Sequence, residues 1–322
     1  GLAQGSRAIR IYGEVTTVMN RKICGYITWG KNLYWTDIFS AGKIGNPYMR
    51  YRDIMGENVR FSDGRRDTPP EHEFSCRFGN IRSIRVIGDK RIELGVKGGN
   101  VIELERGRSL AIGNWIAVEP RNGKIENVVW EHISEIVFSA APDSINEPKD
   151  HPITGIVETP YGMYKGLIQW DLDENSQESL LDGRTESSWV SVAFKNIGSI
   201  KSLGNSSLVT LHSGRELCMW GENDVNATNR GIAINMPSIG QVIVGWHDFK
   251  LFRAIPLDQL NLPVYDDFRA PERLFGRVET RDGRSLEGVL VYDLDEAMDF
   301  ELLDGQNGNI SVSYTHLTLP TI

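Results

Sequence analysis

Three carboxylates crowd one short segment of this chain twice, as Asp171, Asp173 and Glu174 and again as Asp293, Asp295 and Glu296. Each D-L-D-E run follows a strand-like stretch, from which oxygen ligands can converge on Ca2+, the one cofactor the sequence suggests. A calcium site draws six to eight oxygens, and the matching earlier position reads Gly30, Asn32 and Leu33. A solvated acidic turn is the plainer reading. Paired carboxylates also hydrolyse glycosides, but only where the two groups flank the scissile bond. Neighbours on one turn do not meet that geometry.

Aromatic rings are the second chemical resource. Of the eight tryptophans, Trp29, Trp130, Trp170 and Trp246 recur at matched places, which marks them as core. A buried ring of this kind removes about 150–250 Å2 from water. Trp35, Trp115 and Trp189 have no tryptophan counterpart, so they are the candidates for stacking on a glycan. His72, His132, His151, His212 and His247 are scattered without metal-ligand spacing. No nucleophile motif and no phosphate-cradling glycine loop is present. The chemistry-bearing residues therefore read as non-enzymatic.

The elements that position these residues are repeated. GEVTT (13–17), GIVET (155–159) and GRVET (276–280) open the same pattern, and residues 155–183 return as 276–305. Phe78, Ile81, Ile84, Gly98, Ile116, Ala117 and Trp130 lie 116 residues before Phe194, Ile197, Ile200, Gly214, Ile232, Ala233 and Trp246. A weaker echo within each copy divides the chain into half-units at 11–88, 91–138, 153–204, 207–255 and a partial one from 274. Recurrence at a long fixed period marks stacked modules.

Each half-unit carries the period of a strand: Val190, Val192 and Phe194 alternate with Ser191 and Ala193. Glycines at 155, 162, 166, 183, 198 and 204 leave no window of helical length. The fold class expected is all-β. A half-unit of about 50 residues buries only roughly 60% of its unfolded surface, so neighbours must pack together. The organisation expected is an N-terminal segment 1–10, repeat one at 11–138 with an insertion near 40–73, a linker 139–152, repeat two at 153–255, a linker 256–273, and a partial repeat three at 274–314.

The runs V-V-W-E-H-I (128–133) and V-I-V-G-W-H-D-F (242–249), closing a series of short bent strands, resemble an SH3-like or Sm-like small barrel. That resemblance implies a tandem array of small barrels, each half-unit a five-stranded meander. The repeat G-x-V-x-T, G-x-I-x-W-D-x-D-E is also similar to that of uncharacterised exported bacterial proteins, which implies an extracytoplasmic, cell-envelope setting. Sm-like proteins bind RNA through an Asx-bearing loop and an Arg-Gly turn, echoed by Asn223–Asn226 and Arg230-Gly231. Here the two elements are only a few residues apart, and copy one has Leu110 and Asn114 in place of Asn226 and Arg230. RNA binding is disfavoured.

Charge is unevenly shared over the 322 residues and their net charge of -8. Residues 1–138 hold 21 Lys and Arg against 16 Asp and Glu, whereas 139–322 hold 14 against 27. Arg50, Arg52, Arg60, Arg65 and Arg66 supply much of the basic excess inside the insertion. They read as a mobile solvated loop or as a contact for an anionic partner: an envelope polymer, a protein, or the acidic half of a second copy. Net acidity disfavours nucleic acid, and no apolar run is long enough to span a membrane as a helix. The start G-L-A-Q resembles the end of a signal peptide. The run SVSYTHLTLPTI resembles translated adapter read-through, so the natural chain is expected to continue and residues 315–322 are set aside as non-native. Cys24, Cys76 and Cys218 are expected unpaired, with Cys76 inward and Cys218 beside Trp220 in a core.

Overall fold

A computed structural model describes residues 6–45, 48, 72–107, 111–237, 239–292, 295–307 and 310–314. The chain is all-β. Copy one forms β1 (Tyr12–Thr17), β2 (Lys22–Trp29), β3 (Ile38–Lys43), β4 (Glu73–Arg77), β5 (Ile81–Gly88), β6 (Arg91–Val96), β7 (Val101–Glu105), β8 (Ile116–Pro120), β9 (Glu126–Val128) and β10 (Ile133–Phe138). Copy two forms β11 (Ile153–Thr159), β12 (Gly162–Gln169), β13 (Leu180–Arg184), β14 (Trp189–Ala193), β15 (Ile197–Ser202), β16 (Ser206–Leu211), β17 (Glu216–Trp220), β18 (Ile232–Met236), β19 (Gly240–Val244) and β20 (Leu251–Ala254). Copy three contributes β21 (Phe275–Glu279), β22 (Ser285–Val289), β23 (Leu303–Asn307) and β24 (Ile310–Tyr314).

Strand order shows how the half-units combine. Copy one's sheet runs β4-β3-β7-β6-β5-β10-β1-β2-β8-β9, and copy two's repeats it as β14-β13-β17-β16-β15-β20-β11-β12-β18-β19, followed by β24-β23. Exchanging β1–β5 with β6–β10 leaves the order unchanged apart from its direction. The two half-units are therefore interlaced: β2 of the first pairs with β8 of the second, and β7 of the second with β3 of the first. This corrects the expected separate meanders. Among the described residues the sheets are not closed barrels, because β4 and β9 are the edge strands of one and β14 and β23 those of the other. A short 3-10 turn precedes the last strand of a half-unit at Phe78–Asn80, Trp130–His132 and Phe194–Asn196.

The chain divides into two compact units, one of residues 11–141 and 265–302, the other of residues 1–10, 142–264 and 303–322. The partial third copy is thus shared between them. In the first unit Trp29 is fully buried and packs against Phe39, Phe78 and Trp130. Its counterpart Trp170 packs against Phe194, Trp246, Phe249 and Phe252 in the second. The aromatic positions read as core from the repeat are core. Cys76 is buried as expected, but Cys218 is exposed, so its place beside Trp220 is not an interior one.

Copy three is in a different register from the one its apolar residues suggest. Ser313 donates to Asp304 as Ser191 donates to Asp182, with Asp304 opposite Ser313 and Asp182 opposite Ser191. Val312 and Tyr314 therefore stand where Val190 and Val192 do. Eight residues separate Asp304 from Ser313, as eight separate Asp182 from Ser191, so the two hairpins share length and pairing register.

Candidate functional site

The acidic turn of copy two is built by strand β12, which ends at Gln169 and delivers Trp170 to the core. Trp170 Nε1 donates to the Asp224 carbonyl at 2.9 Å, so the buried ring carries the turn onto the 3-10 segment Asn223–Val225. The turn is tight: Asp173 N–H donates to Trp170 O, with Asp171 at φ +51 and Leu172 at φ +55. Asp is among the residues that tolerate this left-handed region; for a bulky Leu it is uncommon and costs on the order of 1 kcal/mol.

Asp171 is fully buried and heavily bonded. It accepts the Arg230 backbone N–H and a two-pronged contact from Arg230 Nε at 2.9 Å and Nη2 at 2.7 Å, together with the Asn223 amide. Asp224 accepts the Asp182 N–H at 2.8 Å. Carboxylate oxygens of Asp171, Glu174 and Asp224 lie within 4.8 Å of one another. Glu174 Oε2 is buried and accepts no hydrogen bond among the described residues. Burial, and then repulsion from Asp224 and Asp171, pushes Glu174 up to about 7. Burial likewise pushes Asp224 up to about 6, with Asp171 adding to it against the opposing Asp182 N–H bond. Near neutrality the pair is therefore suited to hold a proton.

Of the residues expected to ligate a cation, Asp171 and Glu174 do converge. Asp173 does not join them; it turns to Arg230 Nη2 at 3.3 Å and is part of the rim. Asp224 takes its place, 53 residues beyond Asp171. Asp224 and Arg230 escape a reading by spacing because Asn114 stands in the place of Arg230 and, by the carbonyl that accepts the tryptophan Nε1, Ala111 stands in that of Asp224, an offset of 113 and not the 116 of the sequence alignment. Ala111 offers only its carbonyl, to Trp29 Nε1.

In copy three Asp293 lies outside the described residues. Asp295 and Glu301 both receive Lys43 Nζ, each at 2.7 Å, and His72 Nδ1 stands 3.1 Å from Asp295. Burial pulls the Lys43 amine down, but Glu301 and Asp295 outweigh it and hold it above its ordinary value. Glu296 repeats Glu174: its Oε2 is buried without a partner among the described residues, and burial followed by Asp295 pushes it up to about 7. Glu301 caps the turn by accepting the N–H groups of Ala297 and Met298, as Asp37 accepts those of Leu33 and Tyr34 in copy one.

The three candidate glycan tryptophans separate. Trp35 is buried against Tyr265 and Phe138, which removes it as a ligand-facing ring. Trp115 and Trp189 are exposed, and Arg184 lies over the Trp189 ring at 5.1 Å. A groove of about 540 Å3 opens where β13 and β17 share a single pairing, lined by Val190, Val192, Arg215, Leu217, Cys218 and Trp220. Arg50, Arg52, Arg60, Arg65 and Arg66 lie outside the described residues. Among the described residues no helix is long and apolar enough to cross a membrane.

Comparison of the chain with protein-family models, curated proteins and solved structures finds no match.

Proposed function

We propose that this chain is a non-enzymatic interaction or scaffolding module, an array whose repeats join by adding strands to one another's sheets. The observation that carries this reading is the joint between copies two and three. Strand β24 hydrogen-bonds the outer edge of β19 over five residue pairs, from Gly240 opposite Tyr314 to Val244 opposite Ile310. An unpaired strand edge is a template for further pairing, and this protein uses one within its own chain. The interlaced runs β10-β1-β2-β8-β9 and β5-β6-β7-β3-β4, with a 3-10 turn immediately before β10 in the first and before β5 in the second, support an SH3-like character for the two halves of a repeat. The expected setting is extracytoplasmic, with a protein or an anionic envelope polymer as partner.

Sedimentation tests the reading. Reversible association of the full chain is expected at about 0.1 M salt, where charges act over about 10 Å, with loss of its charge-driven part near 1 M, where the range is about 3 Å. Deleting residues 48–70 is expected to remove that salt-sensitive part. A monomer at every concentration and salt, with no retention on an anionic polymer, defeats the proposal.

A second reading, a cation-binding protein, is favoured by the convergence of Asp171, Glu174 and Asp224. Both Asp171 oxygens already accept bonds from Arg230, which leaves Glu174 and Asp224 as the available ligands. That is well below the complement Ca2+ draws. Added Ca2+ raising the melting temperature in the intact chain but not in Glu174→Gln supports this reading; no shift removes it.

A further inference from the structure

Residues 295–302 lie against strands β3 and β4 of copy one. Leu302 N–H donates to the Ser75 carbonyl at 3.0 Å, and Phe300 packs edge-on against Phe74. Beside that contact the charged groups gather. Lys43 Nζ of β3 donates to Asp295 Oδ1 and pairs with Glu301 Oε1, each at 2.7 Å, and donates to the Asp295 carbonyl at 3.0 Å. His72, next to β4, brings Nδ1 within 3.1 Å of Asp295 Oδ2, and its carbonyl accepts the Lys43 backbone N–H. Glu296 completes the group: Asp295, Lys43 and Glu301 all act on it, and its Oε2 accepts no hydrogen bond among the described residues. From β4 the Cys76 thiol faces Glu301; burial, and then Glu301, pushes it well above its ordinary value, so it stays neutral. With the Lys43, His72, Asp295 and Glu301 side chains only 7–17% exposed, salt screens these pairs little.

The charges in this contact balance at one pH and not at another. Lys43 is positive, and Asp295 and Glu301 are its ionised partners. Burial, followed by Asp295, pushes Glu296 up to about 7, and histidine is the side chain whose charge ordinarily changes between about pH 5 and pH 8. With Glu296 protonated and His72 charged, two positive groups face two negative ones. With Glu296 ionised and His72 neutral, one positive group faces three negative ones, and three carboxylates in one poorly solvated place repel. The rest of the contact, Phe300 on Phe74 and the Leu302 hydrogen bond, does not titrate, so the carboxylates and His72 set its pH dependence.

We propose that residues 295–302 are a pH-operated latch on β3 and β4, held down in mildly acidic surroundings and released above neutrality. The sign follows from Glu296. Its value in the latched state lies above its ordinary one near 4.5, so latching takes up a proton between those values and weakens as pH rises through about 7. A charged His72 beside Asp295 acts in the same direction, since that pairing is lost with the imidazole proton. Release frees the Ser75 carbonyl on the edge strand β4. Only that consequence, an edge open to a partner strand, rests on the interaction-module reading; the latch is a contact within one chain and is measured without a partner.

Hydrogen exchange of the intact chain provides the test, with peptides spanning 296–302 followed at pH 6 and pH 8 and each rate divided by that of the unfolded peptide at the same pH. Glu296 alone, moving between about 7 and 4.5, is expected to lower protection of this segment about three- to ten-fold from pH 6 to pH 8. Protection there is expected to stay below that of 12–29 in the core of copy one, because the latch opens without unfolding the sheet. Glu296→Gln is expected to remove most of the drop, and Glu296→Gln with His72→Gln all of it. Protection of 296–302 that is unchanged or rises from pH 6 to pH 8 in the parent chain overturns the latch, whatever the variants do. A drop that persists undiminished in the double variant also overturns it, as does protection equal to that of 12–29 at pH 8, which means the segment leaves only when copy one unfolds.

Discussion

The turn after the first core tryptophan is built in two chemistries, and two lengths, in copies one and two. After Trp29 the chain continues Gly30, and the facing position is Asn114; after Trp170 it continues Asp171, and the facing position is Arg230. Gly30 adopts φ +58 and Asp171 φ +51, but the turns differ in length: Trp29 pairs with Asn32 across two residues, whereas Trp170 pairs with Glu174 across three, with Leu172 also left-handed at φ +55. The nearest atom to a Cβ on Gly30 would be Asn114 Nδ2 at 2.4 Å, which shows that the same two positions meet in both copies. Copy one fills the meeting point with a small neutral pair, whereas copy two places a buried carboxylate against a guanidinium and adds Glu174 and Asp224. The acidic cluster is therefore a feature of copy two's longer turn, at a place where the same strands meet in both copies.

The largest test of that difference is Asp171→Ala. It strands the Arg230 N–H, the guanidinium and the Asn223 amide together, and is expected to cost about 2–4 kcal/mol, read as a fall in the denaturation midpoint. An Asp171→Gly variant that loses as much, although it restores the residue found at Gly30, assigns the cost to the pairing and not to the backbone. Recovery to near parent stability reverses that assignment.

Next in size is Glu174→Gln. The Glu174 carboxyl, pushed up to about 7 from an ordinary value near 4.5, is protonated more often in the folded than in the unfolded chain between those values. The folded state thus binds more protons across that window, and stability falls as pH rises through it. Because the group is partly solvated, removing its charge is expected to be worth only about 1 kcal/mol near pH 8, or roughly 2–4 °C in a unit of this size. Thermal melts from about pH 4.5 to pH 8 are expected to show a smaller downward slope in the variant. An unchanged slope removes Glu174 as a titrating group. Glu296→Gln is expected to act in the same direction.

A graft sharpens the comparison further. Gly30→Asp with Asn114→Arg is expected to leave stability within about 0.5 kcal/mol of the parent, with Gly30→Asp alone the worse of the two. Equal loss in the single and double variants means the pair does not transfer. The smallest effect is Asp173→Asn, whose contact with Arg230 is exposed; a change of about 0–0.5 kcal/mol is expected in denaturant melts. A large loss there returns Asp173 to the centre of the cluster.

The sequence by itself determined the all-β class, the repeat, and which tryptophans are core, because period-two alternation and matched spacing are local and survive any choice of partner strand. It also placed Asp171 and Glu174 on one turn. Only the tertiary structure decided that the half-units interlace, since β2 can pair with any strand of suitable alternation and its choice of β8 depends on contacts about 90 residues away. That long-range pairing brings Asp224 and Arg230 to Asp171. It also gives Trp35 the neighbours Tyr265 and Phe138, which bury a ring that its own surroundings in the sequence had left looking free.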